Sequence, residues 1–231
     1  MPVRPERLRN RREAFARGTA IEPRWPVVTT ILLVLYLLAM LPGRIRLFSP
    51  WQVGIGGIAL IIPVAGVGLS RGRTVWLLLE RASVLLFVLS AGVATLVNLS
   101  NLIRAILSRS AGLSGIELLT SSIAVYATNV LMFSLLFWQM DRGGPEARAN
   151  AVVSKPDWQF PQTACPEEAA DGWRPAFVDY LCLAFTTATA FSPTDVLPLT
   201  SRAKMLMMLE SSIALVTVVL IASRAINILG S

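Results

Sequence analysis

Six apolar runs, separated by short polar or basic breaks, organise this chain. Five of them, over residues 25–42, 51–69, 74–98, 117–140 and 205–229, approach or exceed the roughly 20 apolar residues that a helix needs to cross a hydrocarbon core. The run over 177–191 falls short. At about 1.5 Å per residue it reaches only ~22 Å as a helix, against a core of ~30 Å. It ends in Ser192-Pro193-Thr194-Asp195, where Pro193 lacks a backbone donor and biases Ser192 away from helix. A half-length apolar helix closed by a polar turn, ahead of a full-length one, predicts a re-entrant segment. Irregular backbone at membrane depth is tolerated only where protein buries it or water reaches it.

The breaks refine these elements. Trp25 and Tyr36 are interfacial or packing aromatics of the first run, closed by Gly43-Arg44-Ile45-Arg46. The second run is rich in glycine (Gly54, Gly56, Gly57, Gly66, Gly68) and contains Pro63. Small residues let helices approach closely, so packing is favoured over a broken helix, although this run is the least secure as a full crossing. The third carries Glu80 and Arg81 in its first turns, read as interfacial, and continues in a surface segment over 101–108. Ser114-Gly115-Ile116-Glu117 has the spacing of a capping box ahead of the fourth. The loop over 141–175 holds six acids and four bases, with Trp158, Phe160 and Trp173 expected to pack it down. Thr200 or Ser201 is the expected N-cap of the last helix, with Arg202 and Lys204 anchoring its entry at an interface.

Composition agrees with a membrane solvent. The 231 residues are 54% hydrophobic and only 15% charged, where a soluble domain carries about 25% charged residues. Net charge is +7, with seven arginines in the first 24 residues and the other positives in short loops. That distribution orients a membrane protein and does not point to nucleic acid. There is no histidine, and Cys165 and Cys182 match no metal spacing. Phosphate-binding loops, dinucleotide fingerprints and nucleophile elbows are missing from the sequence. An enzyme is therefore not expected, nor a metal or cofactor. If the loop faces an oxidising compartment Cys165 and Cys182 can pair, but free thiols are the expectation.

The stretch Thr186-Thr187-Ala188-Thr189-Ala190-Phe191-Ser192-Pro193-Thr194-Asp195-Val196-Leu197-Pro198-Leu199-Thr200 resembles the pore-loop cation channel superfamily of the potassium type. Those channels carry T-T-x-T-T-V-G-Y-G-D-x-x-P-x-T between pore helix and inner helix. Thr186, Thr187, Thr189, Asp195, Pro198 and Thr200 fall in register without a gap. Ala190, Ser192, Pro193 and Thr194 replace the threonine, both glycines and the tyrosine of the filter. The lead-in over 179–186 is also similar to an uncharacterised family of bacterial integral membrane proteins. A potassium filter points successive carbonyls at one axis through glycine conformations that Ser192, Pro193 and Thr194 avoid. The resemblance thus implies a channel-like scaffold with a lining of hydroxyls (Thr189, Ser192, Thr194) and a ring of Asp195 carboxylates.

The expected fold is an all-α polytopic membrane protein with about five transmembrane helices plus a pore-type half-helix between the last two. Residues 1–24 form a basic arm, 25–110 the N-terminal helices and 111–231 a pore-type module. That module comprises an outer helix 117–140, a polar loop 141–175, a pore helix 176–191, a filter-like turn 192–200 and an inner helix 203–229. The expected function is a homotetrameric pore of the plasma (inner) membrane passing a monovalent cation with weak selectivity. Thr186, Thr187, Thr189, Ala190, Phe191, Ser192, Pro193, Thr194 and Asp195 form its filter. Ser212, Val216, Val219 and Ser223 line the inner helix, and Glu210 supports the filter from behind. Glu210 lies deep in an apolar run, where a carboxylate is costly; pore-helix hydroxyls or Arg81 are its candidate neutralising partners. The expected partners are membrane lipids and other copies of the chain. A non-conducting scaffold uses the same residues as a packed core, and a small-solute transporter is the third reading. Five crossings from a cytoplasmic N-terminus put the loop on the cytoplasmic side, whereas the channels carry it outside; the sequence leaves both orientations open.

Overall fold

The computed structural model describes residues 23–69, 74–107, 114–149, 155–170, 173–189 and 195–229. The basic arm up to residue 22 and the filter positions Ala190, Phe191, Ser192, Pro193 and Thr194 lie outside the described residues. The fold is helical apart from one two-residue antiparallel ladder.

Helix α1 (Trp25–Met40) buries Val27, Ile31, Val34 and Leu38, a stripe spaced for one helical face. It stops at Leu41, whose extended backbone (φ −62°, ψ 139°) is the conformation imposed on a residue before proline. Helix α2 (Pro50–Leu69) runs unbroken through Gly56, Gly57 and Pro63. Two of its glycines serve packing: a Cβ on Gly57 would lie 2.6 Å from Leu35 Cδ1, and one on Gly66 2.3 Å from the Trp76 ring.

Helix α3 (Thr74–Leu107) is a single helix of 34 residues, its expected span to Asn98 continuing into the segment that follows. Two asparagines on it are taken up by the α1–α2 connection. Asn98 Oδ1 accepts the Leu47 N–H (3.0 Å), and Asn101 Nδ2 donates to the Ile45 carbonyl (3.1 Å). Helix α4 (Gly115–Met140) begins with the capping box that its sequence encodes, Ser114 and Glu117 satisfying each other's backbone N–H groups. It is the hub of the fold, packed against α1, α3 and two later helices, while α2 packs on α1 and α3.

After α4 the chain makes a 3₁₀ turn (Asp141–Gly143) in which Arg142, Gly143 and Gly144 all have positive φ. The short helices α5 (Pro145–Ala149) and α6 (Pro161–Ala164) flank strand β1 (Trp158–Gln159), which pairs with β2 (Leu197–Pro198). Between them lies α7 (Phe177–Thr189), and α8 (Ser201–Leu229) closes the chain.

Polar bonds mark the two ends of the bundle. At one end Arg24 pairs with Glu80 (2.8 Å), Arg81 donates to the Gly143 carbonyl (2.9 Å), and Asp157 binds Arg202. The bonds of Asn98 and Asn101 mark the other. The start of α1 and the loop after α4 therefore share one end. Helices α3, α4 and α8 are long and apolar enough to cross a membrane; α1, α2 and α7 are shorter apolar helices. Ile55, Ile58 and Ile62 of α2 and Leu86, Leu89 and Val93 of α3 are exposed on the outside, an apolar surface that water disfavours and lipid accepts.

Candidate functional site

Helix α7, which carries the predicted filter residues Thr186, Thr187 and Thr189, is held between α4 and α8. Its entry is fixed by carboxylates of the preceding loop. Asp141 is fully buried; its Oδ1 accepts the Asp157 N–H (2.8 Å) and its Oδ2 accepts the Tyr180 hydroxyl (2.6 Å). Burial pushes the Tyr180 hydroxyl well above its ordinary value, with Arg148 opposing that shift and Asp141 adding to it. Arg148 donates to the Trp138 and Asp141 carbonyls (2.7 and 2.9 Å), and its guanidinium lies 4.9 Å from the Tyr180 ring centroid.

A second buried carboxylate ties the loop to the start of α8. Asp157 accepts from the Thr200 hydroxyl (2.6 Å) and from Arg202 Nε and Nη2 (2.6 and 2.5 Å), and its carbonyl accepts the Leu199 N–H (2.8 Å). Thr200 also caps α8 as its sequence predicts, its Oγ1 accepting the Ala203 N–H (3.3 Å). Arg202, read as an interfacial anchor, is also half of this ion pair. The aromatics behave as expected. Trp158 and Phe160 are buried, Trp158 stacking on Phe137 at 4.8 Å and donating to Met207 Sδ (3.4 Å), Phe160 meeting Tyr180 edge-on at 5.4 Å.

Deeper in, Ser211 Oγ donates to the Thr187 carbonyl (3.2 Å), so the last turns of α7 lie level with a point ten residues into α8. The chain then returns to the loop end by Leu199. Thr186 and Thr189 donate their hydroxyls to their own helix, at the Cys182 and Phe185 carbonyls (2.8 Å each). Thr187 is buried and its hydroxyl has no partner among the described residues. Asp195 is exposed. Helix α8 presents two distinct faces. Ser212, Val216, Val219 and Ser223 share the exposed one, while Ala203, Glu210, Ala214 and Thr217 are fully buried on the other. Glu210 and the predicted lining residues are therefore not brought together.

Two readings of ionic residues need correction. Arg81 does not neutralise Glu210: it is exposed and donates to Gly143 at the bundle end. Glu80 is a buried ion-pair partner of Arg24, the residue ahead of α1, whose guanidinium sits over the Trp138 ring at 5.3 Å. Cys165 and Cys182 are exposed and free. The Asp141–Asp157 network was the part the sequence did not reveal; its only signal was an acid between Pro156 and Trp158 in an aromatic loop. A groove of about 390 Å³ between α1, α2 and α3, lined by Leu35, Gly56, Ala59 and Phe87, lies apart from these residues.

Compared with known proteins, the chain matches no family model, no curated protein and no solved structure.

Proposed function

We propose that this protein is a multi-pass protein of the plasma (inner) membrane, built around a re-entrant half-helix, α7, and assembling as a homotetrameric pore for monovalent cations with weak selectivity. The observation that carries the reading is the course of the chain around α7. A 13-residue apolar helix enters beside α4, reaches the level of Ser211, and is followed by a return to its starting end at Leu199. A half-length helix that does not cross is tolerated in a membrane where the chain that follows it is packed or wetted. The register of Thr186 to Thr200 supports the same assignment.

In the proposed tetramer α1, α2, α3, α4 and α8 cross the bilayer, and the exposed stripe Ser212, Val216, Val219, Ser223 faces the shared axis. The C-terminal end of α7 directs its partial negative charge toward that axis, favouring cations. Ser192, Thr194 and Asp195 form the constriction, and a ring of Asp195 carboxylates selects by field rather than by fit. The competing scaffold reading draws on one observation: the Thr186 and Thr189 hydroxyls are spent within α7.

Current through the purified protein in a planar bilayer, with unequal potassium chloride on the two sides, separates the readings. A current whose reversal shifts toward the potassium potential, and shifts back in Asp195→Asn, is the expected result. Silence over a wide range of voltage and pH, in protein shown to be folded and inserted, favours the scaffold.

A further inference from the structure

Three helices meet at one level of the bundle and leave oxygens without partners. Asn129 of α4 donates its Nδ2–H to the Glu210 carbonyl (3.3 Å), and Ser211 donates to the Thr187 carbonyl (3.2 Å). These bonds bring Asn129, Thr187 and Glu210 to within about one helical turn of each other. Glu210 and Asn129 are 0% exposed and Thr187 is 4% exposed. Among the described residues, both carboxyl oxygens of Glu210, Asn129 Oδ1 and Thr187 Oγ1 have no hydrogen-bond partner. Among the described residues Glu210 has no ion pair either, and Tyr126, on the same helix as Asn129, is a titratable side chain within its electrostatic reach. An unpaired carboxylate at this depth marks a functional site.

We propose that Glu210, Asn129 and Thr187 form a binding site for a monovalent alkali cation between α4, α7 and α8. The chemistry selects the class of ion. All the orphaned atoms are hard oxygen donors, which suit alkali and alkaline-earth cations and not soft metals. A single carboxylate is neutralised by a single positive charge, whereas a divalent ion leaves an excess charge in a low-dielectric interior. Among the described residues, no group of three or more His, Cys, Asp or Glu side chains offers a richer ligand set. A proton on Glu210 supplies one donor to one acceptor; a cation draws on all the orphaned oxygens at once. The site lies on the buried face of α8, away from Ser212, Val216, Val219 and Ser223, so it holds its ion whether or not the assembly conducts.

The test is thermal unfolding of the full chain in nanodiscs at mildly alkaline pH and constant ionic strength, with sodium or potassium chloride replacing N-methyl-D-glucamine chloride. The midpoint is expected to rise saturably, by about 5 °C at saturating cation. Glu210→Gln is expected to abolish the rise, and Asn129→Val to move its half-saturation to about tenfold higher cation. Asp195→Asn, at the proposed pore mouth, is expected to keep it, which separates this site from the filter. A wild-type midpoint indifferent to sodium and potassium overturns the proposal. So does an unchanged titration in Glu210→Gln, or in Asn129→Val where Glu210→Gln does not fold. A midpoint that rises on acidification and ignores alkali cations gives Glu210 a proton instead, and overturns the site equally.

Discussion

Asp157 shows how one side chain can hold the register of two distant segments. It receives a hydroxyl and a forked guanidinium from residues 43 and 45 positions further along, while its backbone bonds both Asp141 and Leu199. Arginine suits this because its planar fork matches a carboxylate with two parallel donors. Asp157→Ala is expected to cost about 2–3 kcal/mol, since charged hydrogen bonds are lost and the Thr200 hydroxyl is left to find another partner. Unfolding midpoints of Asp157→Ala and Arg202→Lys measure this. The lysine variant, which keeps the charge and loses the fork, is expected to fall between wild type and Asp157→Ala. Equal midpoints for wild type and Asp157→Ala would show that the β1–β2 ladder alone holds the loop. At this scale the sequence was readable where bonding is local. The Ser114–Glu117 box and the Thr200 cap span only three residues each. Asp141 and Asp157 were not readable, because a carboxylate with partners dozens of residues away looks like any loop acid.

Helix α2 separates two roles of glycine that composition alone merges. Gly54 faces open space, with nothing within 4 Å of an added Cβ, whereas Gly66 lies under the Trp76 ring. Adding a methyl group at Gly66 forces Trp76 or the helix to shift, at a cost of about 1–3 kcal/mol. At Gly54 the same methyl group restricts the unfolded chain and favours the helix by roughly 0.5–1 kcal/mol. Gly66→Ala is thus expected to lower the unfolding midpoint and Gly54→Ala to hold or raise it. Equal losses in both would mean that the two helices are not in contact at Gly66. The existence of α1, α2, α3, α4, α7 and α8 followed from apolar runs, but the partners of the α3 asparagines did not. Asn98 and Asn101 carry no sign in the sequence of Ile45 and Leu47, whose backbone groups they bind.

At the scale of the whole molecule, two consequences follow from the polar end. The Arg24–Glu80 and Arg81–Gly143 bonds place the start of α1 and the 141–175 loop together, as an even number of crossings between them requires. Exposed Cys165 and a cysteine at exposed Pro23 are therefore expected to react with a membrane-impermeant thiol reagent from the same side, in a Cys182→Ser background. Labelling from opposite sides would mean that one of the shorter apolar helices, α1 or α2, does not turn the chain around. The side that is labelled also fixes the orientation that positive charges and channel resemblance leave in conflict.

The second consequence concerns α8, the least buried of the three long apolar helices, with 22% of its apolar stretch covered against 67% for α4. Its bare face carries Ser212 and Ser223 among Leu215, Val216 and Val219, with both hydroxyls bonded to their own helix at the Met208 and Leu220 carbonyls. Lipid would cover such a face at little cost, since hydroxyls satisfied within a helix do not demand a partner. A pore demands more: the same face must converge with its copies around an axis. Ser212→Cys and Ser223→Cys, each in a chain lacking Cys165 and Cys182, are expected to form disulfides between copies on mild oxidation. Thr217→Cys, fully buried on the opposite face, is expected to form none. Native mass measurement of the membrane-reconstituted particle should give four copies. A monomer without cross-links at Ser212 or Ser223 would assign the bare face of α8 to lipid and remove the axis on which conduction depends.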